Sequence, residues 1–281
     1  QRGKLPLIFF SANLAMSTFF NKPRLSITAT ILFAAMSSAT YASDPVIVPE
    51  AASGFKESRV VRAKSAMAVT ANPYATAAAE KILHAGGSAI DAGIAAQLVL
   101  GLVEPQSSGI GGSAFMLYWD ASQKQLSSWD GRETAPQLVD ENHFLTSDRQ
   151  PMGFFDAVIG GYSVGVPGVL AMLEASHNKF GKLPWEALFA PAISLASNGF
   201  IVSPRLHTLL VKMPKVAVNP AIEAYFFNDA DAPKPIGTVL KNPAYATALS
   251  KIASKGSAVF YKGDIANDIV KAVKSDPNRA G

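Results

Sequence analysis

A first helix is predicted by the run of small and apolar residues that ends at position 85. Asn72-Pro73 supplies an N-cap side chain followed by proline at the first helical position, and the alanine-rich stretch to Ala85 has high helix propensity. Gly86-Gly87 then ends the helix, as glycine commonly does. The short apolar segment before it, residues 65–71, predicts a strand.

A second helix and a loop follow. Ser88 and Asp91 form a variant of the capping box, and the small and apolar residues after them continue to about Leu102. Because alanine occupies most faces of both helices, we expect them to pack closely on both sides. Proline, serine and glycine then dominate residues 104–113, which predicts a loop.

Beyond the loop the pattern changes to a hairpin and then to helices. Ala114–Trp119 and Gln125–Trp129 are predicted strands joined by a turn. Later helices are predicted at Val169–Phe180, Trp185–Ser197, Pro204–Lys212, Pro243–Ser254 and Asp264–Lys274. This order, without an internal repeat, indicates a mixed fold of the α/β or α+β type. With 281 residues and 49% hydrophobic content, the chain can bury a sizeable core.

The first 42 residues have the layout of an export signal. Residues 1–15 are interpreted as an upstream extension. From Met16, a short basic region precedes an apolar run of about ten residues, and small residues stand before Ser43. We therefore expect a signal peptide at residues 16–42, with a buried N-terminal helix as the alternative. The apolar run is too short to span a bilayer comfortably, so we expect no stable membrane span in the mature protein.

Charge and composition exclude several classes of function. The net charge is +4, but the first 42 residues hold no acidic residue and four basic ones, Arg2, Lys4, Lys22 and Arg24. The rest of the chain therefore has 21 basic against 21 acidic residues. A nucleic-acid interface requires clustered lysine and arginine, so we expect no nucleic-acid partner. The chain has no cysteine and four histidines, none at metal-ligand spacing. We therefore expect no metal site and no cofactor.

Two glycine-rich motifs resemble the sequence patterns of a catalytic serine and of a dinucleotide-binding site. Gly161–Gly165 has the G-x-S-x-G pattern of a serine elbow, but residues 166–168 separate it from the next helix, and the histidines His177 and His207 suit a triad poorly. Gly109–Ala114 has the glycine spacing of a dinucleotide fingerprint, yet it follows a helix and precedes a strand, the reverse of what pyrophosphate binding needs. Both motifs are better interpreted as turns.

Arg132 is the strongest candidate for binding. It lies in the segment Asp130–Pro136, just after the second strand of the predicted hairpin. The planar guanidinium group can bind a carboxylate through two parallel hydrogen bonds, which lysine cannot do. From these residues alone, a surface ion pair with Glu133 or Asp130 is the simpler interpretation.

Longer motifs occur in a fixed order along the chain. They are Asn72-Pro73 with its alanine-rich helix, Gly86–Ala92, Val103–Gly112, Arg132–Pro136, Ser163–Gly168, Phe180–Trp185 and Ala190–Ile193. Together they resemble the large subunit of bacterial gamma-glutamyltransferases, also called glutathione hydrolases. The resemblance is strong from Ser65 to Arg205 and looser beyond. It assigns residues 43–281 to a partial large subunit of such a precursor.

The resemblance implies the four-layer αββα sandwich of N-terminal-nucleophile hydrolases, incomplete in this stretch of polypeptide. It also implies a precursor that cuts itself to expose a threonine at the start of a small subunit. In that family the threonine hydroxyl, with its own α-amino group as base, attacks the γ-glutamyl amide of glutathione and related compounds. Water, an amino acid or a peptide then accepts the γ-glutamyl group.

By the same resemblance, Arg132 binds the α-carboxylate of the γ-glutamyl group, and Ser163 belongs to a structural turn. No threonine up to Gly281 matches the processing site, so we expect no catalytic residue in these 281 residues and no turnover by them alone. Export implies a periplasmic location. A cephalosporin or glutaryl acylase of the same family, and a noncatalytic subunit, are the alternatives.

Overall fold

The computed structural model describes residues 60–212 and 219–276. The expected upstream extension at residues 1–15 and signal peptide at residues 16–42 lie outside the described residues. Within the described ranges, no helix is both long enough and apolar enough to cross a membrane. Helices and strands are mixed along the chain, as the sequence pattern predicts.

The helices of the described part are numbered in chain order. They are α1 (Pro73–His84), α2 (Ala89–Val103), α3 (Phe154–Val158), α4 (Val169–Phe180), α5 (Ala190–Asn198), α6 (Pro204–Lys212), α7 (Pro220–Phe226), α8 (Pro243–Lys255), α9 (Ala258–Tyr261) and α10 (Asp264–Lys274). The strands are β1 (Ala114–Asp120), β2 (Gln125–Gly131), β3 (Phe200–Ile201) and β4 (Val239–Leu240). β1 pairs with β2 and β3 with β4, both antiparallel.

Helix α2 lies at the centre of the core. Its N-terminus has the predicted capping box, because the backbone N–H of Asp91 donates to Ser88 Oγ at 3.1 Å and that of Ser88 donates to Asp91 Oδ2 at 2.8 Å. The same Asp91 oxygen accepts from the backbone N–H groups of Lys182 and Leu183, which fixes the segment after α4. Ten of the fifteen residues of α2 are buried, which confirms the predicted close packing on more than one side.

The hairpin β1–β2 covers α4 with one face only. Phe180 at the end of α4 contacts Tyr118 and Trp129 on the inner face, with ring centroids 4.4 Å and 6.1 Å apart. The outer face exposes four large apolar side chains: Phe115 (68% exposed), Leu117 (72%), Trp119 (57%) and Leu126 (60%). Because successive side chains of a strand point to opposite faces, this hairpin has two apolar faces. Within the described part of the chain, α4 packs on the inner face of the hairpin, and no element covers the outer face.

The strand predicted at residues 65–71 is wrong. A strand needs a neighbour that completes its backbone hydrogen bonds, and within residues 60–212 and 219–276 no ladder includes this segment. The end of the segment is held by a local hydrogen bond and not by a neighbouring strand, because Thr70 Oγ1 donates to the carbonyl oxygen of Asn72 at 2.7 Å. Met67 and Val69 are exposed.

The helix predicted at Trp185–Ser197 is divided in two. Residues Trp185–Leu188 form a 3-10 turn, and α5 begins separately at Ala190. Pro191 lies in the first turn of α5, where a helix does not need its N–H group. In the middle of one continuous helix the same proline would remove a hydrogen bond and break the helix.

Candidate functional site

Arg132 directly follows β2, and its guanidinium group points into solvent. The side chain is 61% exposed. Its Nε lies 3.5 Å from Glu133 Oε2, and its Nη1 donates to Ser113 Oγ at 3.5 Å. Both distances are long, so these contacts hold the group only weakly. Nη2 has no bonding partner in the described part of the chain, and an arginine with unused donors can bind a carboxylate.

The Arg132 backbone is held more firmly than its side chain. Its N–H group donates to Asp130 Oδ1 at 2.8 Å. Of the two ion-pair partners considered from the sequence, only Glu133 lies near the guanidinium group, while Asp130 binds the backbone. The base of the side chain is therefore fixed and its charged end is available.

Glu133 supplies a negative charge beside Arg132. A hydrogen bond from the Ser113 side chain holds the pKa of Glu133 below its ordinary value, with further contributions from a backbone N–H group and from the Arg132 charge. Glu133 is thus ionised at neutral pH. The residues Ser113, Arg132 and Glu133 form a cluster, which we call the arginine cluster.

The loop at residues 104–113 reaches the arginine cluster from a buried anchor. Glu104 is 2% exposed, and its carboxylate accepts hydrogen bonds from Asn72 Nδ2 at 2.7 Å and Gln106 Nε2 at 2.6 Å. Arg205 Nε lies 3.2 Å from the same carboxylate, which pairs the buried charge. The anchor joins the start of α1, the end of α2 and the start of α6, and so fixes the beginning of the loop.

The far end of the loop is tied to α4. The carbonyl oxygen of Gly112 accepts from the backbone N–H groups of Gly168 at 3.1 Å and Val169 at 3.3 Å. Ser113 follows at once and leads into β1. Loop 104–113 is therefore fixed at both ends, and the expected tight turn is confirmed in this position between a helix and a strand.

The G-x-S-x-G segment and the residue that follows it pack against the residues that follow Arg132. Thr134 and Val166 exchange both backbone hydrogen bonds, at 3.1 Å and 2.8 Å. Gly165 lies against Glu133, since a β-carbon built on Gly165 would come within 2.9 Å of Glu133 Cγ. Glycine is needed here for close approach, which explains part of a motif that resembles a catalytic elbow.

Ser163 is exposed in a turn and has none of the surroundings of a serine nucleophile. Its Oγ donates to the carbonyl oxygen of Val158 at 3.3 Å. No hydrogen bond joins it to a histidine among the described residues: His143 Nε2 contacts the carbonyl oxygen of Tyr162 at 2.8 Å, His177 Nε2 that of Leu183 at 2.8 Å, and His207 Nδ1 that of Lys234 at 3.1 Å. The preference for a turn over an elbow is confirmed.

No group of three or more acidic or histidine side chains suited to a metal occurs among residues 60–212 and 219–276. A cavity of about 500 Å³ lies between residues 136–167 and α10, but Arg132 does not line it. Its lining is mainly apolar and includes Ile269, Val270 and Val273 of α10. None of the residues Ser113, Arg132 and Glu133 lines this cavity.

Sequence reasoning found Arg132 and its neighbour Glu133, but missed the other parts of the site. From the sequence, Ser113 is only one residue of a glycine-rich loop, and Glu104 is only part of a longer motif. A buried glutamate within a Pro/Ser/Gly loop is a signal, because a carboxylate in such a position needs several donors. Nothing in the sequence places Ser113 opposite Arg132 until the hairpin register is known.

The gamma-glutamyltranspeptidase family model matches residues 75–277 of this chain. Glutathione hydrolase 3 of Arabidopsis thaliana is 35% identical over 194 residues, which is 69% of this chain and 29% of that protein. The glutathione hydrolase proenzyme of Bacillus subtilis (strain 168) is 34% identical over 211 residues, or 75% of this chain and 36% of that protein. The chain thus spans about a third of the length of these curated relatives.

Solved structures give the same result. The gamma-glutamyltranspeptidase of Helicobacter pylori superimposes with a TM-score of 0.73 at 30% identity, covering 78% of this chain and 62% of that one. A cephalosporin acylase from Bacillus halodurans superimposes with a TM-score of 0.61 at 28% identity, covering 81% and 42%. The fold is therefore that of N-terminal-nucleophile hydrolases of this type, as the sequence resemblance implies.

Proposed function

Because this chain belongs to the gamma-glutamyltranspeptidase family, we propose that it forms part of the large subunit of an enzyme that cleaves γ-glutamyl amides. Glutathione and related γ-glutamyl compounds are the proposed donors. The γ-glutamyl group passes through a covalent enzyme intermediate to water, or to an amino acid or peptide.

The free guanidinium edge of Arg132 is the observation that carries this proposal. A γ-glutamyl donor has an α-carboxylate at the end remote from the scissile amide. Arg132 binds this carboxylate in the proposed complex, using donors that Ser113 and Glu133 leave unused. Binding the remote end fixes the distance from the arginine to the amide carbon, which places the amide for attack.

The proposed nucleophile is a threonine at the start of the small subunit, produced when the precursor cuts itself. Its α-amino group accepts the hydroxyl proton, the hydroxyl oxygen attacks the amide carbon, and the amine product leaves with a proton. Backbone N–H groups stabilise the tetrahedral oxyanion. Among the described residues, the arginine cluster holds a carboxylate-binding group and no paired nucleophile and base.

The small subunit from the same precursor is the proposed partner of the outer hairpin face. That face exposes Phe115, Leu117, Trp119 and Leu126, an apolar surface that is costly to leave in water. Two sheets that pack face to face bury such a surface between them. The sandwich of this family is completed in this way in our proposal.

We also propose export to the periplasm of a bacterium. The proposal rests on the layout of residues 16–42, with residues 1–15 as an upstream extension and residues 43–281 as large-subunit sequence. Amino-terminal sequencing of the exported protein tests it, and a first residue at Ser43 is the expected result.

The direct test of the function is turnover by the full-length protein. γ-Glutamyl-p-nitroanilide should release p-nitroaniline, and the processed protein should separate into two subunits, the smaller one beginning with threonine. Glutaryl-7-aminocephalosporanic acid is the comparison substrate, because a cephalosporin acylase is among the structural relatives. Preference for the cephalosporin would assign the acylase function, and no processing would contradict the enzyme proposal.

A further inference from the structure

Helix α10 has an apolar face that is only partly covered. Five apolar side chains lie on one side of the helix, at the spacing of an amphipathic helix: Ile265, Ala266, Ile269, Val270 and Val273. No residue of α10 is buried, and Val270 is 51% exposed. Because a surface helix of a folded protein buries such a face against its neighbours, α10 lacks part of its packing in the described part of the chain.

A cavity of about 500 Å³ separates this face from the segment at residues 136–167. The wall opposite α10 also exposes apolar side chains, since Leu138 is 98% exposed, Val166 46% and Val164 38%. Contiguous apolar surface of this kind marks an interaction site in a soluble protein. The two walls are therefore the two sides of one apolar groove, which we call the α10 groove.

The α10 groove offers few free polar groups. Its two polar rings are bound to each other's backbone, because His143 Nε2 contacts the carbonyl oxygen of Tyr162 and the Tyr162 hydroxyl donates to that of His143. The lining contains one lysine, Lys274, and no acidic residue. A polar ligand would lose its hydrogen bonds to water and regain few of them here, so apolar side chains fit the groove best.

The direction of the chain brings further polypeptide to this groove. Helix α10 ends at Lys274, which lines the groove, so the polypeptide that follows in a longer precursor begins near it. The covalent link gives that polypeptide a high effective concentration at the groove. The family match reaches residue 277 and so includes α10, and the chain spans about a third of the length of its curated relatives. A longer family member therefore has both this helix and further polypeptide to pack against it.

We propose that the α10 groove binds an apolar segment of the same precursor, from the part of the large subunit that follows Gly281 and precedes the small subunit. This inference rests on the proposed function, which makes the chain part of a longer large subunit. The small subunit is the proposed partner of the outer hairpin face, and the exposed apolar residues of that face do not line the groove. Two separate apolar surfaces thus have two separate partners.

The segment bound in the groove packs close to the arginine cluster. Val166 lines the groove and exchanges both backbone hydrogen bonds with Thr134, two residues after Arg132. The bound segment therefore holds the backbone that pairs with the residues after Arg132. Later sequence of the large subunit thus helps to fix the position of the proposed substrate-binding residue.

Photocrosslinking in the full-length protein identifies the occupant of the groove. The photoreactive amino acid p-benzoylphenylalanine stands in place of Val270 in one variant and in place of Lys271, which is exposed and does not line the groove, in the control. After irradiation, mass spectrometry should find position 270 joined to a peptide between Gly281 and the small-subunit threonine. Cross-links from position 270 to the small subunit, to a second copy of the protein or only to residues 136–167 would each overturn the inference. The absence of any cross-link, or the same cross-links from both positions, would also overturn it.

A smaller change tests whether the groove is covered. Val270→Asn places a polar side chain in the groove, and Lys271→Asn places one in water. In the full-length protein Val270→Asn should lower the melting temperature by about 4 °C or more, because an amide buried without partners is costly. Lys271→Asn should lower it by about 2 °C or less, although it loses more helix propensity than Val270→Asn does. Equal shifts, or no shift at either position, would overturn the inference.

Both experiments give a result that does not depend on catalysis. A parent enzyme that releases p-nitroaniline from γ-glutamyl-p-nitroanilide, without the expected cross-link from position 270, removes only the assignment of the groove. A folded parent that shows this cross-link but no turnover removes the proposed function, and the assignment of the groove remains.

Discussion

Gly168 lies directly against the backbone of Arg132. A β-carbon built on Gly168 would come within 2.5 Å of the carbonyl oxygens of both Arg132 and Gly131. Carbon and oxygen atoms cannot approach so closely, and backbone atoms cannot rotate away as side chains do. The start of α4 and the end of β2 are thus in contact only because residue 168 has no side chain.

Replacing Gly168 should disturb the site through its backbone. Gly168→Ala in the full-length enzyme is expected to displace Arg132, to lower the free energy of unfolding by about 2 kcal/mol or more as overpacking does, and to raise KM for γ-glutamyl donors. Urea unfolding and steady-state kinetics measure the two effects.

Gly93 is the matched control for Gly168. It lies within α2, and a β-carbon there would meet no atom within 4 Å. Gly93→Ala should therefore raise stability by about 0.5–1 kcal/mol and leave KM unchanged. Equal effects of the two substitutions would contradict the role given to the Gly168 contact.

Glu104 should be among the residues on which stability depends most. Glu104→Ala leaves Arg205 without its buried carboxylate and Asn72 Nδ2 without its acceptor. A buried donor left without its acceptor costs about 1–3 kcal/mol, and Asn72 is such a donor, so a clear fall in the urea midpoint is expected.

The control is Glu80→Ala on the exposed surface of α1. Its ion pair with His84 is exposed at both ends, and such pairs contribute about 0.5 kcal/mol or less. A Glu104→Ala variant that unfolds at the same urea concentration as Glu80→Ala would show that the anchor of loop 104–113 is not needed.

Much of this fold could be predicted from local sequence signals. The capping box at Ser88 and Asp91 was recognisable because both partners lie within one helical turn. The strand predicted at residues 65–71 failed because a strand is completed by a neighbour, and residue preferences do not reveal whether one is present. Local patterns therefore predicted helix ends better than sheet pairing.

The site was harder to predict than the fold. Arg132 was found because its segment matched a family motif, and its chemistry suits a carboxylate. Ser113 lies 19 residues away from it, and only the register that pairs Ala114 with Gly131 brings the two together. Such long-range contacts depend on which strands pair, so residue types and spacing alone could not supply them.

Ser163 should be dispensable for turnover. It is exposed, its hydroxyl bonds a backbone carbonyl oxygen, and neither His143 nor His177 hydrogen-bonds to it. Ser163→Ala in the full-length enzyme is expected to keep kcat within about twofold of the parent. A loss of about a thousandfold or more would instead identify a serine nucleophile.

The 281 residues alone should show an open apolar surface and no catalysis. We expect them to release no p-nitroaniline from γ-glutamyl-p-nitroanilide and to bind an apolar fluorescent dye through Phe115, Leu117 and Trp119. The full-length processed enzyme, in which we propose that the small subunit covers this face, should bind less dye. Turnover by the 281 residues alone would refute a nucleophile supplied by the small subunit.

The central claim is that Arg132 binds the α-carboxylate of the donor, and one comparison of KM values tests it most directly. Arg132→Lys keeps the charge and loses the planar pair of donors. For γ-glutamyl-p-nitroanilide we expect KM to rise about tenfold or more. For 4-aminobutyryl-p-nitroanilide, which lacks the α-carboxylate, KM should stay as in the parent.

Arg62→Lys, at an exposed position in the segment before α1, is the control and should change neither value. The account predicts a KM increase that requires both the Arg132 substitution and the substrate carboxylate. An Arg132→Lys enzyme with an unchanged KM for γ-glutamyl-p-nitroanilide would contradict it.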